Sequence, residues 1–297
     1  MPPTGAYILT LIAPRQGDLT EQIIKDCVKI LDIHAPDLDW LRPDTACDIF
    51  LHGHHDATDS LRLRCRHHGI DMFLQKSENR RKKLLLADMD STIVTSETLD
   101  DLAEFAGLKD QISAITRRAM NGELDFESAL NERVAMLNGL SETVLEDAYK
   151  QVKITPGAEI LVKTMAANGA YTALVSGGFK FFTSRIRQRL QFDMDFSNDF
   201  VIENGQLTGS VQYPILGQAA KLETLHRLAE DQHIELSQTL TVGDGANDLS
   251  MINEAGLGVA FHGKPVVAEQ ARHRIEYGDL STLLYAQGYR YRDFKQP

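Results

Sequence analysis

A chain of 297 residues, 43% hydrophobic and 25% charged, has material for a sizeable core, in one large domain or two ordinary ones. Its formal charge of -11 argues against non-specific binding to nucleic acid or anionic lipid, and no apolar run approaches the roughly 20 residues of a membrane span. The three cysteines, Cys27, Cys47 and Cys65, are odd in number and widely spaced, which points to reduced thiols rather than a disulfide framework or a zinc knuckle.

The apolar stretch from Ala6 to Ala13 has no basic residue before it and runs into Pro14-Arg15-Gln16-Gly17, so it lacks the marks of a signal peptide. A cytoplasmic protein is the expectation. From there to about residue 80 the pattern predicts a strand at Tyr7 to Ala13, a helix at Leu19 to Leu31 and strands near Leu38 to Leu41 and at Cys47 to His52. A helix at Ser60 to His67 and a strand at Asp71 to Gln75 complete a ferredoxin-like βαββαβ order. The run His52-Gly53-His54-His55-Asp56 suggests metal, but residue 57, where a further histidine would be wanted, is Ala. The basic run Arg80-Arg81-Lys82-Lys83 reads as a solvated linker to a second region, 81–297.

In that second region, short continuous apolar runs end in polar turns: Leu84 to Ala87, Tyr171 to Val175 and Leu240 to Val242. Alternating with helices, they predict an α/β fold, a Rossmann-like parallel sheet covered on both faces. Residues 96–153 read as an all-helical insertion, and Asn204-Gly205 predicts the turn of a β-hairpin within Phe200 to Tyr213.

Polar clusters follow each of the three strands, at the carboxyl ends where ligands sit in such sheets. Asp88 and Asp90, two apart on extended chain, would turn their carboxylates to one side, a pair suited to splitting ionised and proton-carrying roles. A calcium loop is excluded, because glycine and glutamate are wanted where Ile93 and Leu99 stand. Ser176-Gly177-Gly178 reads as a turn whose hydroxyl and amides can hold phosphate oxygens. Gly243-Asp244-Gly245-Ala246-Asn247-Asp248 offers dinucleotide-like glycines, but its acids would repel a pyrophosphate and suit Mg²⁺ instead.

DMDST, then a serine after a strand, Lys221 at a helix start and GDGAND together resemble the four motifs of the haloacid dehalogenase (HAD) superfamily over about residues 84 to 275. DMDSTIVTSETLDDLA, AMNGELDFESALNERVAML, VSGGF and GDGANDLSMI look like the phosphoserine phosphatase family within it. The resemblance implies a HAD fold with a helical cap and hydrolysis of O-phosphoserine through an aspartyl-phosphate on Asp88. Asp90 would be the acid and base, and Mg²⁺ would be held by Asp88, the Asp90 carbonyl and Asp244, with Asp248 behind them. Ser176, Gly177, Lys221 and Asn247 would surround the phosphate, while Glu97, Arg133, Met120 and Phe126 would read the amino acid. Phosphothreonine, phosphohomoserine and a non-catalytic amino-acid sensor are the alternatives weighed against it. The first region loosely resembles an ACT-like domain, for which amino-acid feedback and a homodimer-forming role both stay open.

Overall fold

The computed structural model describes residues 7–51, 53, 58–120, 123–217 and 219–296, without the side chains of residues 119 and 120. The histidine-rich run at 52–56 therefore lies outside the described residues, Gly53 apart. By backbone contacts the chain divides into two units, Met1–Leu85 with Pro156–Tyr171 and Ala229–Pro297, and Leu86–Thr155 with Thr172–Leu228.

The first unit begins with β1 (Tyr7–Ile12), α1 (Glu21–Ile30), β2 (Asp37–Arg42), β3 (Ala46–Leu51), α2 (Thr58–His67) and β4 (Asp71–Lys76). Their antiparallel sheet has the order β2-β3-β1-β4, the ferredoxin-like arrangement expected from the element order. Thr20 caps α1 by accepting from the Ile23 amide, a bond of about 1 kcal/mol. Apolar residues at helical spacing on α1, Ile23, Ile24, Cys27 and Val28, then pack with Leu61 and Cys65 of α2 over Leu9, Leu11 and Ile49 of the sheet. All three cysteines are free and buried.

Arg80 and Lys82 correct the reading of a solvated linker. The Arg80 guanidinium, its side chain 11% exposed, bonds both oxygens of Asp48 at 2.6 Å and also reaches the Ala286 carbonyl at 2.9 Å. Lys82 is buried, donates to the Ser237 carbonyl at 2.8 Å, and has its pKa pushed down to about 8 by that burial. Sequence proximity to other cations hid partners that are distant in the chain.

The chain continues through β5 (Leu84–Asp88), α3 (Thr98–Phe105), α4 (Lys109–Met120), α5 (Phe126–Ala135), α6 (Thr143–Gln151) and α7 (Ala158–Ala167). Next come β6 (Tyr171–Phe179), α8 (Lys180–Leu190), β7 (Met194–Asn198), β8 (Phe200–Glu203), β9 (Gln206–Val211) and α9 (Ala220–Asp231). The last elements are β10 (Thr239–Gly243), α10 (Leu249–Glu254), β11 (Leu257–Phe261), α11 (Pro265–Gln270), β12 (His273–Ile275) and α12 (Thr282–Ala286). Six strands make a sheet of order β12-β11-β10-β5-β6-β7, with β10, β11 and β12 parallel to one another and β6 parallel to β7. Leu84 to Ala87 are fully buried, each leucine contributing roughly 1.5–3 kcal/mol, which is why the run is apolar on both faces.

Helices α3 to α6 follow β5 and precede α7. The β8–β9 hairpin turns at Asn204 and Gly205, both at positive φ, and joins those helices through Gly139 N to Leu207 O at 2.8 Å and Glu142 N to Gly205 O at 2.9 Å. Among the described residues, no helix is long and apolar enough to cross a membrane.

Candidate active site

Strand β5 delivers Asp88 at its last residue, and both Asp88 and Asp90 keep extended dihedrals (φ -67, ψ 153 and φ -69, ψ 137). The turn comes at Ser91, whose φ of 54° is left-handed. Asp88 is 5% exposed, and the Lys221 Nζ at the start of α9 lies 2.6 Å from its Oδ1. A buried carboxylate beside a buried ammonium has a charge partner in place of water, and the contact fixes its orientation.

Asp90 has different surroundings. Its Oδ1 accepts from the Thr98 amide at 2.8 Å and hydroxyl at 2.7 Å, and its Oδ2 accepts from the Ser176 hydroxyl at 2.7 Å. Burial first, then the charge of Glu97, push its pKa up to about 6 against the pull of those hydrogen bonds. A carboxyl group so tuned can carry a proton or lose one near neutral pH.

Ser176, Gly177 and Gly178, expected as a turn, continue β6, and Phe179 after them pairs with Asn198 of β7 after a register shift. Asn198 holds it there by donating to the Gly177 carbonyl at 2.9 Å. Ser176 also accepts from the Gly178 amide at 2.8 Å. A Cβ on Gly177 would stand 3.3 Å from the Phe126 ring, so the bare backbone lets that ring lie close.

Cap residues converge on the same part of the molecule. Arg133 of α5 is partly buried, its pKa lowered by that burial and held up by the charges of Asp100, Glu97 and Asp90. Asp100 in turn is raised by burial and by Glu97. The Glu97 carboxylate is exposed and accepts from the Ser91 hydroxyl at 2.8 Å. Met120 ends α4, and its side chain lies outside the described residues.

After β10, Asp244 and Asp248 are both buried, and Asp248 accepts from the Gly245 amide at 2.9 Å. Gly243 is required beside it, since a Cβ there would fall 2.4 Å from the Asp248 Cγ. Asn247 is partly buried in the same loop. Asp244 and Asp248 thus lie buried together in the first unit, and Asp88 is buried at the end of β5 in the second. Buried carboxylates are oxygen donors of the kind that fit a hard divalent cation.

The description "haloacid dehalogenase-like hydrolase" matches residues 85–253. The chain belongs to the haloacid dehalogenase-like hydrolases. A phosphoserine phosphatase of Archaeoglobus fulgidus is 42% identical over 236 residues, 78% of this chain and 69% of that protein. The crystal structure of a HAD-family hydrolase from Salmonella enterica serovar Typhi superposes with a TM-score of 0.87 at 31% identity, covering 95% of this chain and 98% of the other. A phospho-aspartyl intermediate analogue of phosphoserine phosphatase gives 0.64 at 42% identity, covering 69% and 98%.

Two contacts of this HAD hydrolase escaped sequence reasoning. Thr98 gives Asp90 two hydrogen bonds, and its only signal was a hydroxyl residue at a helix start close behind an acidic pair. Lys264, whose Nζ lies 3.4 Å from the Asp244 Oδ2, gave no signal, being an ordinary lysine before a proline.

Proposed function

We propose that this chain is a magnesium-dependent phosphoserine phosphatase acting through an aspartyl-phosphate on Asp88. The observation that carries the reading is the division of labour between two neighbouring carboxylates. Asp88 is buried against the Lys221 ammonium, whereas Asp90 sits among hydroxyl and amide donors with its pKa raised to about 6. One is fitted to attack and the other to move a proton.

In the reaction, Asp88 attacks phosphorus in line while protonated Asp90 gives its proton to the departing serine oxygen. Asp90, now a carboxylate, takes a proton from the water that cleaves the acyl phosphate. Ser176, Gly177, Lys221 and Asn247 orient the phosphoryl oxygens or the groups around them. Asp88, the Asp90 carbonyl and Asp244 would hold Mg²⁺, with Asp248 behind them. When bound, the ion supplies positive charge that offsets the nucleophile and the phosphate. The burial of Asp88, Asp244 and Asp248 supports this assignment.

The cap reads the amino acid, with Glu97 toward the ammonium, Arg133 toward the carboxylate, and Met120 and Phe126 lining the pocket. The domain reading is an ACT-like module at 1–80, followed by the phosphatase at 81–297 with its cap at about 96–153. The wider setting is cytoplasmic serine biosynthesis, with a homodimer as one use of the first module. Phosphate release across phosphoserine, phosphothreonine, phosphohomoserine and sugar phosphates, with and without Mg²⁺, tests the reading. Preference for phosphoserine that depends on Mg²⁺ supports it. Equal rates on all substrates, or no activity, would remove it.

A further inference from the structure

Asp71, the first residue of β4, is a carboxylate 3% exposed on the edge of the ferredoxin-like sheet. It is filled by backbone donors from the far end of the chain. Oδ1 accepts from the amides of Glu276 at 2.7 Å and Tyr277 at 3.2 Å, and Oδ2 accepts from Gly278 at 2.8 Å. Bonds from neutral amides to a carboxylate are charge-assisted, and three on one group fix the backbone that supplies them. Gly278 is built for this approach, because a Cβ there would stand 3.0 Å from the Asp71 Oδ2 and 2.2 Å from the Thr282 Oγ1.

The carbonyl of Gly278 lies 3.0 Å from the His262 Nε2. His262 has φ 43°, a left-handed conformation that a histidine keeps only where its surroundings hold it, and its amide donates to the Ile275 carbonyl at 2.9 Å. Two residues later, Lys264 N donates to the Asp244 carbonyl at 3.1 Å, and its Nζ lies 3.4 Å from the Asp244 Oδ2. From Asp71 to Asp244, then, every link is either a direct contact or two steps of chain.

We infer that Asp71 is a positioning residue for the metal-binding loop: by fixing the amides of 276–278, and through them His262, it sets the backbone on which Lys264 meets Asp244. The inference rests on the reading of Asp244 as a metal ligand. It makes the first domain a working part of the phosphatase site and not an appendage to it. Both oxygens of Asp71 act as acceptors, and an asparagine would turn an NH₂ toward an amide that needs one.

The test compares full-length wild type, Asp71→Asn, and Asp48→Asn, which disturbs the same sheet at Arg80 without touching residues 262–278. Amide hydrogen exchange, followed by mass spectrometry in EDTA, should accelerate severalfold in peptides covering 243–250 and 258–264 in Asp71→Asn and not in Asp48→Asn. Calorimetric titration with MgCl₂ should show a Kd raised roughly tenfold in Asp71→Asn, as losing an outer partner of a metal ligand does. In Asp48→Asn it should stay within about twofold, the spread expected for a change outside that chain of contacts. Unchanged exchange, or faster exchange with unchanged Mg²⁺ affinity, overturns the inference, as do equal effects in Asp48→Asn. Should Asp71→Asn fail to fold, His262→Ala breaks the next link and carries the same expectations. A wild type that takes up no Mg²⁺ would overturn the metal reading alone, and the exchange comparison would still decide the role of Asp71.

Discussion

The Lys221 Nζ stands 2.6 Å from the Asp88 Oδ1, and both side chains are buried. The pair joins stability to chemistry, since the same contact neutralises a buried carboxylate and aims it. Lys221→Met should lower the unfolding free energy by about 3 kcal/mol, as loss of one partner of a buried pair does. Turnover should fall by roughly 10²- to 10³-fold, the usual cost of one stabilising donor. Urea unfolding and phosphate release measure the two. Normal turnover in a destabilised variant would confine Lys221 to the fold.

Asp88→Asn should have no measurable turnover while keeping the native fold, because an amide keeps the shape but is a poor nucleophile, and it should be destabilised by the Lys221 ammonium left without its partner. Turnover near the wild-type rate would end the aspartyl-phosphate mechanism.

The pKa of Asp90 predicts a pH signature. Raised to about 6, the group is protonated below that pH, as leaving-group protonation needs, and ionised above it, as water activation needs. The Thr98 hydroxyl favours the ionised form. Thr98→Val removes it, so the limb of the kcat profile that rises with pH should move upward by about 1 pH unit, equivalent to ~1.4 kcal/mol. Profiles from pH 5 to 8 would show it, and an unmoved limb would mean that Asp90 does not set that limb.

Arg133 predicts a split between substrates. Burial lowers the pKa of its guanidinium, and the charges of Asp100, Glu97 and Asp90 act to hold it up. Arg133→Ala should cost about 2–5 kcal/mol in kcat/KM on phosphoserine and far less on an aryl phosphate that never used the contact. Equal losses on both would move Arg133 out of amino-acid recognition.

His273 predicts how stability responds to acid. It is buried and stacked on Phe73 at 5.6 Å, with its pKa pushed down to about 3 by burial, then by Arg272, Arg62 and Lys82. The folded value lies below the ordinary 6.5, so the unfolded chain binds the proton more readily. This contribution is whole above pH 6.5 and lost as pH falls from there toward 3. Between pH 7 and pH 5, wild type should lose about 2 kcal/mol more than His273→Phe, which keeps the ring stack and drops the titration. Denaturant unfolding at the two pH values measures the difference, and parallel losses would show that His273 accepts a proton in place.

Local signals carried most of the architecture, because apolar period and turn chemistry act over a few residues. Leu84 to Ala87 could be read as a buried strand, and Asn204-Gly205 as a hairpin turn, from their neighbours alone. What failed depended on distant partners. Arg80 looked like linker because Asp48 lies 32 residues away, and Ser176 to Gly178 looked like a turn because Asn198 holds Gly177 in the strand from 21 residues away. In the site, the acids declared themselves through motif order, whereas Thr98 did not, since a threonine at a helix start has an ordinary explanation.

Strand β2 lies at one edge of the ferredoxin-like sheet, where a row of unsatisfied backbone groups invites another chain to add itself. Here the carboxyl-terminal segment reaches across that edge. Arg290 donates to the Trp40 carbonyl at 2.9 Å and grips both Asp39 oxygens, while Arg42 lies 3.8 Å over the Tyr291 ring. Arg290 and Tyr291 thus occupy part of the edge that an added strand would use. Trimming the last eight residues would uncover the edge, and self-association of the truncated chain would rise with its concentration.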